Sequence, residues 1–133
     1  AGESPQAIEQ DLLSKGYDKA TAQQYLKVVA NEWGRSFLTY QPEEVLPKLT
    51  MPVLALNGEK DLQVAAATNI GGMEAIFASS ENEDVTLKIL PDLNHLFQQA
   101  ESGLPDEYGR INQTFAPQAL LIISDWISSR VGE

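Results

Sequence analysis

The chain contains no cysteine and only one histidine among its 133 residues. The missing thiols exclude a disulfide framework and a thiolate metal site, but they do not indicate a compartment, because many secreted proteins also lack cysteine. A metal site would have to join His95 to Asp92 or Asp84, and this pattern lacks the regular ligand spacing of metal motifs. We therefore predict neither a metal nor another cofactor.

Basic residues are also scarce: 9 lysines and arginines stand against 19 aspartates and glutamates, and the net charge is −10. Nucleic-acid-binding proteins usually carry a basic patch, so we predict that nucleic acid is not a partner. No apolar run reaches the roughly 18 residues of a membrane helix, and the first residues show no signal-peptide pattern. The sequence thus predicts a soluble chain without a membrane partner and leaves its localisation unknown.

Two apolar runs, at residues 51–61 and 85–95, organise the rest of the chain. The first is closed by Asn57-Gly58 and is typical of a strand that is buried on both faces of a parallel sheet. The second is rich in β-branched residues and is closed by Pro91, which predicts another strand followed by a loop. With 43% hydrophobic residues, a chain of this length can bury a core.

A helix is predicted between the two strands, over residues 65–80, although two adjacent glycines weaken it. Its apolar residues recur at helical spacing: Ile70, Met73, Ile76 and Phe77. Parallel strands that are joined by such a crossover end at the same edge of the sheet. Asp61 and His95, which lie 34 residues apart and follow the two strands, should therefore face one crevice and approach hydrogen-bonding distance.

Helices are also predicted before the first strand. Ser4 begins the first helix, and Asp18 caps a second helix that residues 37–40 continue or kink. A short helical turn begins at Pro42 and ends before Pro47. The second helix should bury one face, formed by Ala22, Tyr25, Leu26, Val29 and Trp33.

After the second strand, residues 96–113 are polar and contain turn-forming residues, which predicts a long surface loop beside the crevice. Pro117 opens the last helix. The face that should pack on the sheet is the seam Leu120, Ile123, Ile127 and Val131, widened by Ile122 and Trp126.

The two strand ends together resemble the last third of an α/β-hydrolase, in the branch of bacterial carboxylesterases and serine-aminopeptidase-like hydrolases. The motifs that carry the resemblance are Gly58-x-x-Asp61 after the first strand and Leu90-Pro91-x-x-Asn94-His95-x-Phe97 after the second. Further similar stretches are Trp33, Phe37-Leu38, Tyr40 and Pro42 before the strands, and residues 114–117 with Trp126-Ile127 after them. The resemblance covers residues 33–130.

The chain departs from the family's pattern at two places. The family usually has glycine where Asp92 stands, at a turn position where aspartate also adopts positive φ at some cost. The nucleophile motif Gly-x-Ser-x-Gly, which precedes the acid and the histidine in these enzymes, is absent. Its nearest counterpart, Gly34-Arg35-Ser36, has Leu38 in place of the second glycine.

The resemblance implies an α/β fold, namely the C-terminal portion of the α/β-hydrolase fold. Two parallel strands with a crossover helix and C-terminal helices would follow a set of cap-like helices. Residues 1–50 would form the helical cap-derived segment, and residues 51–133 the segment that carries the acid and the histidine. We expect the two segments to form one compact unit.

The resemblance also implies a function. The chain would be a fragment of a serine hydrolase that acts on carboxylic esters through an acyl-enzyme, and it would supply Asp61 and His95 to the catalytic triad. The serine would lie upstream of this chain, so the chain alone should be inactive. Trp33, Phe37 and Tyr40 would line the substrate pocket, although aromatic residues at helical spacing are more often core residues.

Alternatives remain open at this point. The parent enzyme would equally suit thioesters or peptides, because the acyl pocket comes largely from other segments. The chain would also suit a non-catalytic acidic interaction module of hydrolase-like topology. The outer edge of strand 52–58 would lack a neighbour, so we predict a homo-oligomer through this edge, with exchange of the N-terminal helices as the competing route. Glu59 and Lys60 are expected to be solvated, and Gln63 and Val64 to close the loop.

Overall fold

The computed structural model describes residues 4–132, with all of their side chains except those of Ala30 and Leu38. It contains both helices and strands, and its two strands are parallel, which is compatible with the α/β class. The chain divides after Pro42 into two compact units, whereas the sequence predicted a division after residue 50. Within residues 4–132, no helix combines the length and the apolar character that crossing a membrane requires.

The N-terminal unit contains the helices α1 (Pro5–Ser14), α2 (Lys19–Ala30) and α3 (Glu32–Thr39). The first two begin where the sequence predicted. The Ser4 hydroxyl accepts a hydrogen bond from the Ala7 N–H at 3.2 Å, and the Asp18 carboxylate accepts one from the Thr21 N–H at 3.0 Å. Both caps pair backbone N–H groups that a first helical turn leaves without a partner.

The second helix is shorter than predicted, because Asn31 interrupts it. The Asn31 backbone is extended (φ −87°, ψ 154°), and its side-chain oxygen accepts a hydrogen bond from the Gly34 N–H at 2.6 Å, which caps α3. The predicted continuous buried face is therefore wrong: Ala22 is buried, whereas Tyr25 and Trp33 are exposed. The break at Asn31 places Trp33 in a separate helix, where it no longer shares the helical phase of Ala22 and Tyr25.

From Pro42 onward the elements are α4 (Pro42–Val45), a 3₁₀ turn (Leu46–Lys48), β1 (Val53–Gly58), α5 (Ala66–Phe77), β2 (Val85–Leu90), a second 3₁₀ turn (Pro105–Arg110) and α6 (Pro117–Val131). α5 leads from the end of β1 to the beginning of β2. The predicted β-α-β unit is thus confirmed.

β1 and β2 form a parallel pair in which Val53 lies opposite Val85 and Gly58 lies opposite Leu90. Among the residues that the structure describes, these two strands make up the whole sheet. Because β1 has a single neighbouring strand, its residues 53–56 are half-buried. The prediction that this strand is buried on both faces is therefore wrong.

The core of the C-terminal unit lies where the end of β2, the loop that follows it and the start of α6 meet. Its buried members are Leu90, Leu93, Ala116 and Ala119, against which Leu56, Phe97, Phe115 and Ile122 pack. The rings of Phe97 and Phe115 stack with their centroids 5.2 Å apart. Burial of each large apolar side chain contributes about 1.5–3 kcal/mol, so this cluster anchors the loop that carries His95.

The packed face of α6 differs from the predicted seam. Ala119 is buried, Ile122 packs against the core, and the Trp126 Nε1–H donates a hydrogen bond to the Thr86 hydroxyl of β2 at 3.1 Å. Three residues of the predicted seam are exposed instead: Leu120, Ile127 and Val131. Residues 119–123 are all apolar, so helical periodicity alone cannot select which of them faces the sheet.

The segment 96–113 is more ordered than the predicted surface loop. Besides the second 3₁₀ turn, it contains the buried residues Gln98 and Ala100. The Gln98 amide donates a hydrogen bond to the Gln113 carbonyl at 2.8 Å, which closes the segment on itself. This closure places the segment firmly beside the end of β2.

Candidate active site

The end of β1 and the loop that follows β2 lie in close contact at Gly58. A Cβ at this position would lie 2.3 Å from the carbonyl oxygen of Leu93 and 2.6 Å from that of Asn94. The Lys60 N–H also donates a hydrogen bond to the Leu93 carbonyl at 2.9 Å. The glycine that ends β1 thus allows one loop to lie directly against the other, which brings the acid and the histidine together.

Asp61 and His95 meet where these loops touch. The Nδ1 atom of His95 lies 2.9 Å from the Oδ2 atom of Asp61. Asp61 is buried, whereas 37% of the His95 side chain is exposed. The predicted approach of the two residues to hydrogen-bonding distance is therefore confirmed.

The Asp61 carboxylate accepts hydrogen bonds at both oxygens. Its Oδ1 atom accepts from the backbone N–H groups of Gln63 at 2.9 Å and Val64 at 2.8 Å, and its Oδ2 atom accepts from the Asn57 amide at 3.3 Å as well as from His95. Burial alone would raise the pKa of Asp61, but the hydrogen bonds from Val64, His95 and Gln63 outweigh it and lower this pKa. Asp61 is thus a negative acceptor at neutral pH.

The charge of Asp61 determines which nitrogen of the His95 ring carries the proton. An ionised carboxylate can only accept hydrogen bonds, so the Nδ1 atom that faces Asp61 must be the donor. In the neutral ring, the Nε2 atom is then an acceptor with a free lone pair. No other side chain among residues 4–132 forms a hydrogen bond with the ring. This is the arrangement of a general base.

A tight turn holds His95 in place. Asn94 is fully buried, and its side-chain oxygen accepts hydrogen bonds from the N–H groups of Leu96 at 2.9 Å and Gln98 at 3.0 Å. The Asn94 amide donates in turn to the Gln98 side chain at 3.0 Å. Phe97 adopts a positive φ of 56°, which the turn requires. The side chain preceding His95 therefore organises the loop around it.

An ion pair and two hydrogen bonds join the acid loop to the histidine loop. The Lys60 ammonium lies 2.6 Å from the Asp92 carboxylate and donates to the Ala100 carbonyl at 2.9 Å, while the Glu59 carboxylate accepts from the Asp92 N–H at 3.1 Å. The hydrogen bond to Asp92 raises the pKa of Lys60. Asp92 has the expected positive φ, 59°. Glu59 is exposed, as predicted, whereas Lys60 is only half-exposed, and both side chains also hold the loops together.

Three further predicted site residues belong to the other compact unit. Trp33, Phe37 and Tyr40 belong to the N-terminal unit and are all exposed, and Trp33 stacks on Phe37 with ring centroids 5.4 Å apart. Their role in substrate binding remains a prediction. The two residues considered as metal partners of His95 have cationic partners of their own, since Asp92 pairs with Lys60 and Asp84 with Arg130.

Sequence reasoning gave no role in the site to three of its buried polar residues: Asn57, Asn94 and Gln98. Asn57 and Asn94 each carried a signal, since Asn94 stands in the motif around His95 and an amide at the end of an apolar strand must find hydrogen-bond partners when it is buried.

Comparison of the chain with models of known protein families, with curated proteins and with solved structures finds no match. The assignment of a function therefore depends on the residues and the geometry described above.

Proposed function

We propose that this chain supplies the acid and the general base of a serine hydrolase that acts on carboxylic esters through an acyl-enzyme. The observation that carries the proposal is the contact of 2.9 Å between the buried Asp61 carboxylate and the His95 Nδ1 atom, at the shared edge of two parallel strands. In open α/β sheets, chemistry takes place at this edge. The motifs around the two residues, which resemble those of α/β-hydrolases, support the same proposal.

In the proposed mechanism, the His95 Nε2 atom takes the proton from a serine hydroxyl as the serine oxygen attacks the ester carbonyl. The C–O bond to the leaving group then breaks, and the imidazolium returns the proton to the departing alcohol. A water molecule, deprotonated by His95 in the same way, attacks the acyl carbonyl; the bond to the serine oxygen breaks, and the imidazolium returns the proton to that oxygen. Asp61 holds the ring in the required tautomer and stabilises its positive form throughout.

The serine of this mechanism comes from a segment outside the sequence, on a Gly-x-Ser-x-Gly turn that precedes Asp61 and His95 in the parent protein. The partial exposure of His95 supports this part of the proposal, because the ring is accessible from outside the described residues. Esters are the substrates that the resembled esterases suggest, and thioesters and peptides undergo the same acyl transfer.

A non-catalytic acidic interaction module is the second candidate. The net charge of −10 and the absence of a nucleophile motif favour it. On this alternative, the contact between Asp61 and His95 is only a structural hydrogen bond. The two candidates therefore differ in whether a serine reacts in concert with His95.

Labelling with a fluorophosphonate, which reacts with activated serines, separates the two candidates. The gene is expressed together with its preceding segment, and the labelled residue is located by mass spectrometry. We expect the label on the serine of a Gly-x-Ser-x-Gly motif, and we expect it to disappear in the His95→Ala variant. The matched control is Asp84→Asn, which removes a carboxylate that pairs with Arg130 and should leave labelling unchanged. Absence of the motif, or labelling that does not depend on His95, would support the interaction module.

A further inference from the structure

Among residues 4–132, Asn57 is the one residue whose buried side-chain amide contacts the Asp61 carboxylate. It lies at the end of β1, and its Nδ2 atom is 3.3 Å from the Asp61 Oδ2 atom, the same oxygen that receives the His95 ring. The same Nδ2 atom donates to the Val64 carbonyl at 3.1 Å. The amide thus contacts both the carboxylate and the turn that follows it.

A helix residue completes the hydrogen bonding of this amide. Asn69 of α5 donates a hydrogen bond from its Nδ2 atom to the Asn57 Oδ1 atom at 2.7 Å. If the Asn57 amide were rotated by half a turn, its nitrogen would face the Asn69 donor and its oxygen would face two acceptors, the Asp61 Oδ2 atom and the Val64 carbonyl. Only the observed orientation pairs all of these groups.

We propose that Asn57 is a positioning residue that, supported by the hydrogen bond from Asn69, holds the Asp61 Oδ2 atom toward His95. This inference rests on the proposed function, because it assigns Asn57 a task only if Asp61 and His95 act as acid and base. The Gln63 and Val64 N–H groups hold the other oxygen, so the four hydrogen bonds together prevent rotation of the carboxylate. Without the Asn57 amide, the Asp61 Oδ2 atom would accept a hydrogen bond from His95 alone among the described residues.

The consequence is measurable at the histidine ring. A carboxylate that is held in place keeps the proton on Nδ1, whereas a carboxylate that rotates lets the ring change to the Nε2–H tautomer that free histidine favours. The chain contains a single histidine, so the ring signals in ¹⁵N-labelled protein belong to His95 alone. Nuclear magnetic resonance spectra that correlate the ring carbon protons with both nitrogens report which nitrogen is protonated.

The decisive variant is Asn57→Leu, which keeps the approximate shape of the side chain and removes its hydrogen bonds. We expect the ratio of the Nδ1–H to the Nε2–H tautomer in the neutral ring to fall on the order of tenfold, the effect of losing one hydrogen bond to a charged group. The matched control is Asn82→Leu, since the Asn82 amide binds the Leu49 and Met51 carbonyls and has no contact with Asp61. The control should leave the tautomer unchanged.

A purely structural role for Asn57 would lower stability without changing the tautomer. A folded Asn57→Leu protein with the tautomer ratio of the wild type would therefore overturn the inference. If Asn57→Leu does not fold, Asn69→Ala decides in its place, because it removes a half-buried helix side chain and leaves the Asn57 Oδ1 atom without its donor, which weakens the hold on the Asn57 amide. A tautomer ratio in Asn69→Ala that equals the wild-type ratio would overturn the inference, and a lower one would support it.

The Asp61→Asn variant separates failure of this inference from failure of the proposed function. We expect it to abolish the preference for the Nδ1–H tautomer. If it does not, Asp61 does not orient the ring and the proposed function fails. If Asp61→Asn changes the tautomer but Asn57→Leu and Asn69→Ala do not, only the role of Asn57 is refuted.

Discussion

Replacing Gly58 by alanine should separate the two loops that carry the candidate site. The new Cβ would lie 2.3 Å from the Leu93 carbonyl oxygen, which is a backbone atom that no side-chain rotation can move away. The loops would have to separate by about 1 Å to reach an ordinary contact of roughly 3.5 Å. The same shift would lengthen the distance of 2.9 Å between the Asp61 Oδ2 and His95 Nδ1 atoms beyond the length of a hydrogen bond.

The expected cost follows from these two effects. Overpacking of this kind costs about 1–3 kcal/mol. The lost hydrogen bond adds about 1 kcal/mol, because the partly exposed histidine can bind water instead. For a unit of this size, each kcal/mol lowers the melting temperature by about 4–8 °C. We therefore expect Gly58→Ala to melt at least about 8 °C below the wild type.

Gly71→Ala is the matched control, because it makes the same substitution inside α5 at a position where the new Cβ would meet no atom within 4 Å. It should stabilise the helix by about 0.5–1 kcal/mol. Thermal unfolding followed by circular dichroism measures both variants, and the His95 ring spectra report the site. A Gly58→Ala protein that is as stable as the wild type, with an unchanged tautomer, would refute the account of how the loops meet.

Three further predictions concern activity, acid stability and association. The chain alone should not hydrolyse p-nitrophenyl acetate, since it has no Gly-x-Ser-x-Gly motif, and a saturable rate that disappears in His95→Ala would contradict this. Folding lowers the pKa of Asp61, so the ionised carboxylate stabilises the folded state. This stabilisation is complete above the pKa of Asp61 in the unfolded chain, about 3.9, and it is lost as the pH falls through the lower pKa of the folded state. The difference in unfolding free energy between the wild type and Asp61→Asn should therefore shrink on acidification, and a constant difference would count against the hydrogen-bonded carboxylate. The chain should self-associate through the outer edge of β1, which pairs with no strand among residues 4–132. Light scattering should show a dimer, and the Leu54→Pro variant should dissociate it. The Val53 and Glu59 N–H groups face β2, so the alternating Leu54 N–H faces the outer edge, where proline removes it as a donor. A monomer at all concentrations would contradict this prediction.

The sequence was sufficient for the features that depend on local signals. Apolar runs with clear ends predicted both strands, and the Ser4 and Asp18 caps marked the starts of α1 and α2. The contact between Asp61 and His95 followed from topology, since parallel strands with a crossover must end at one edge. The positive φ of Asp92 followed from its place in a turn where the enzymes that the motif resembles carry glycine.

The features that depend on tertiary packing could not be predicted. Asn31 is a polar residue in a helical pattern, and nothing local shows that it ends one helix and caps the next. The apolar face of α6 was ambiguous because residues 119–123 are all apolar. The need for glycine at position 58 arises from two carbonyl groups more than 30 residues away in the chain, at Leu93 and Asn94, and becomes visible only in the folded unit.

The turnover number of the parent protein tests the central claim most directly. Expressed with the segment that precedes this chain, the Asp61→Asn variant should hydrolyse a p-nitrophenyl ester with a kcat lower on the order of 10⁴-fold, because the histidine ring then adopts the wrong tautomer. Its KM should change little, since the ester does not contact Asp61 in the proposed mechanism. A kcat close to that of the wild type would show that Asp61 and His95 are not the acid and base of the reaction.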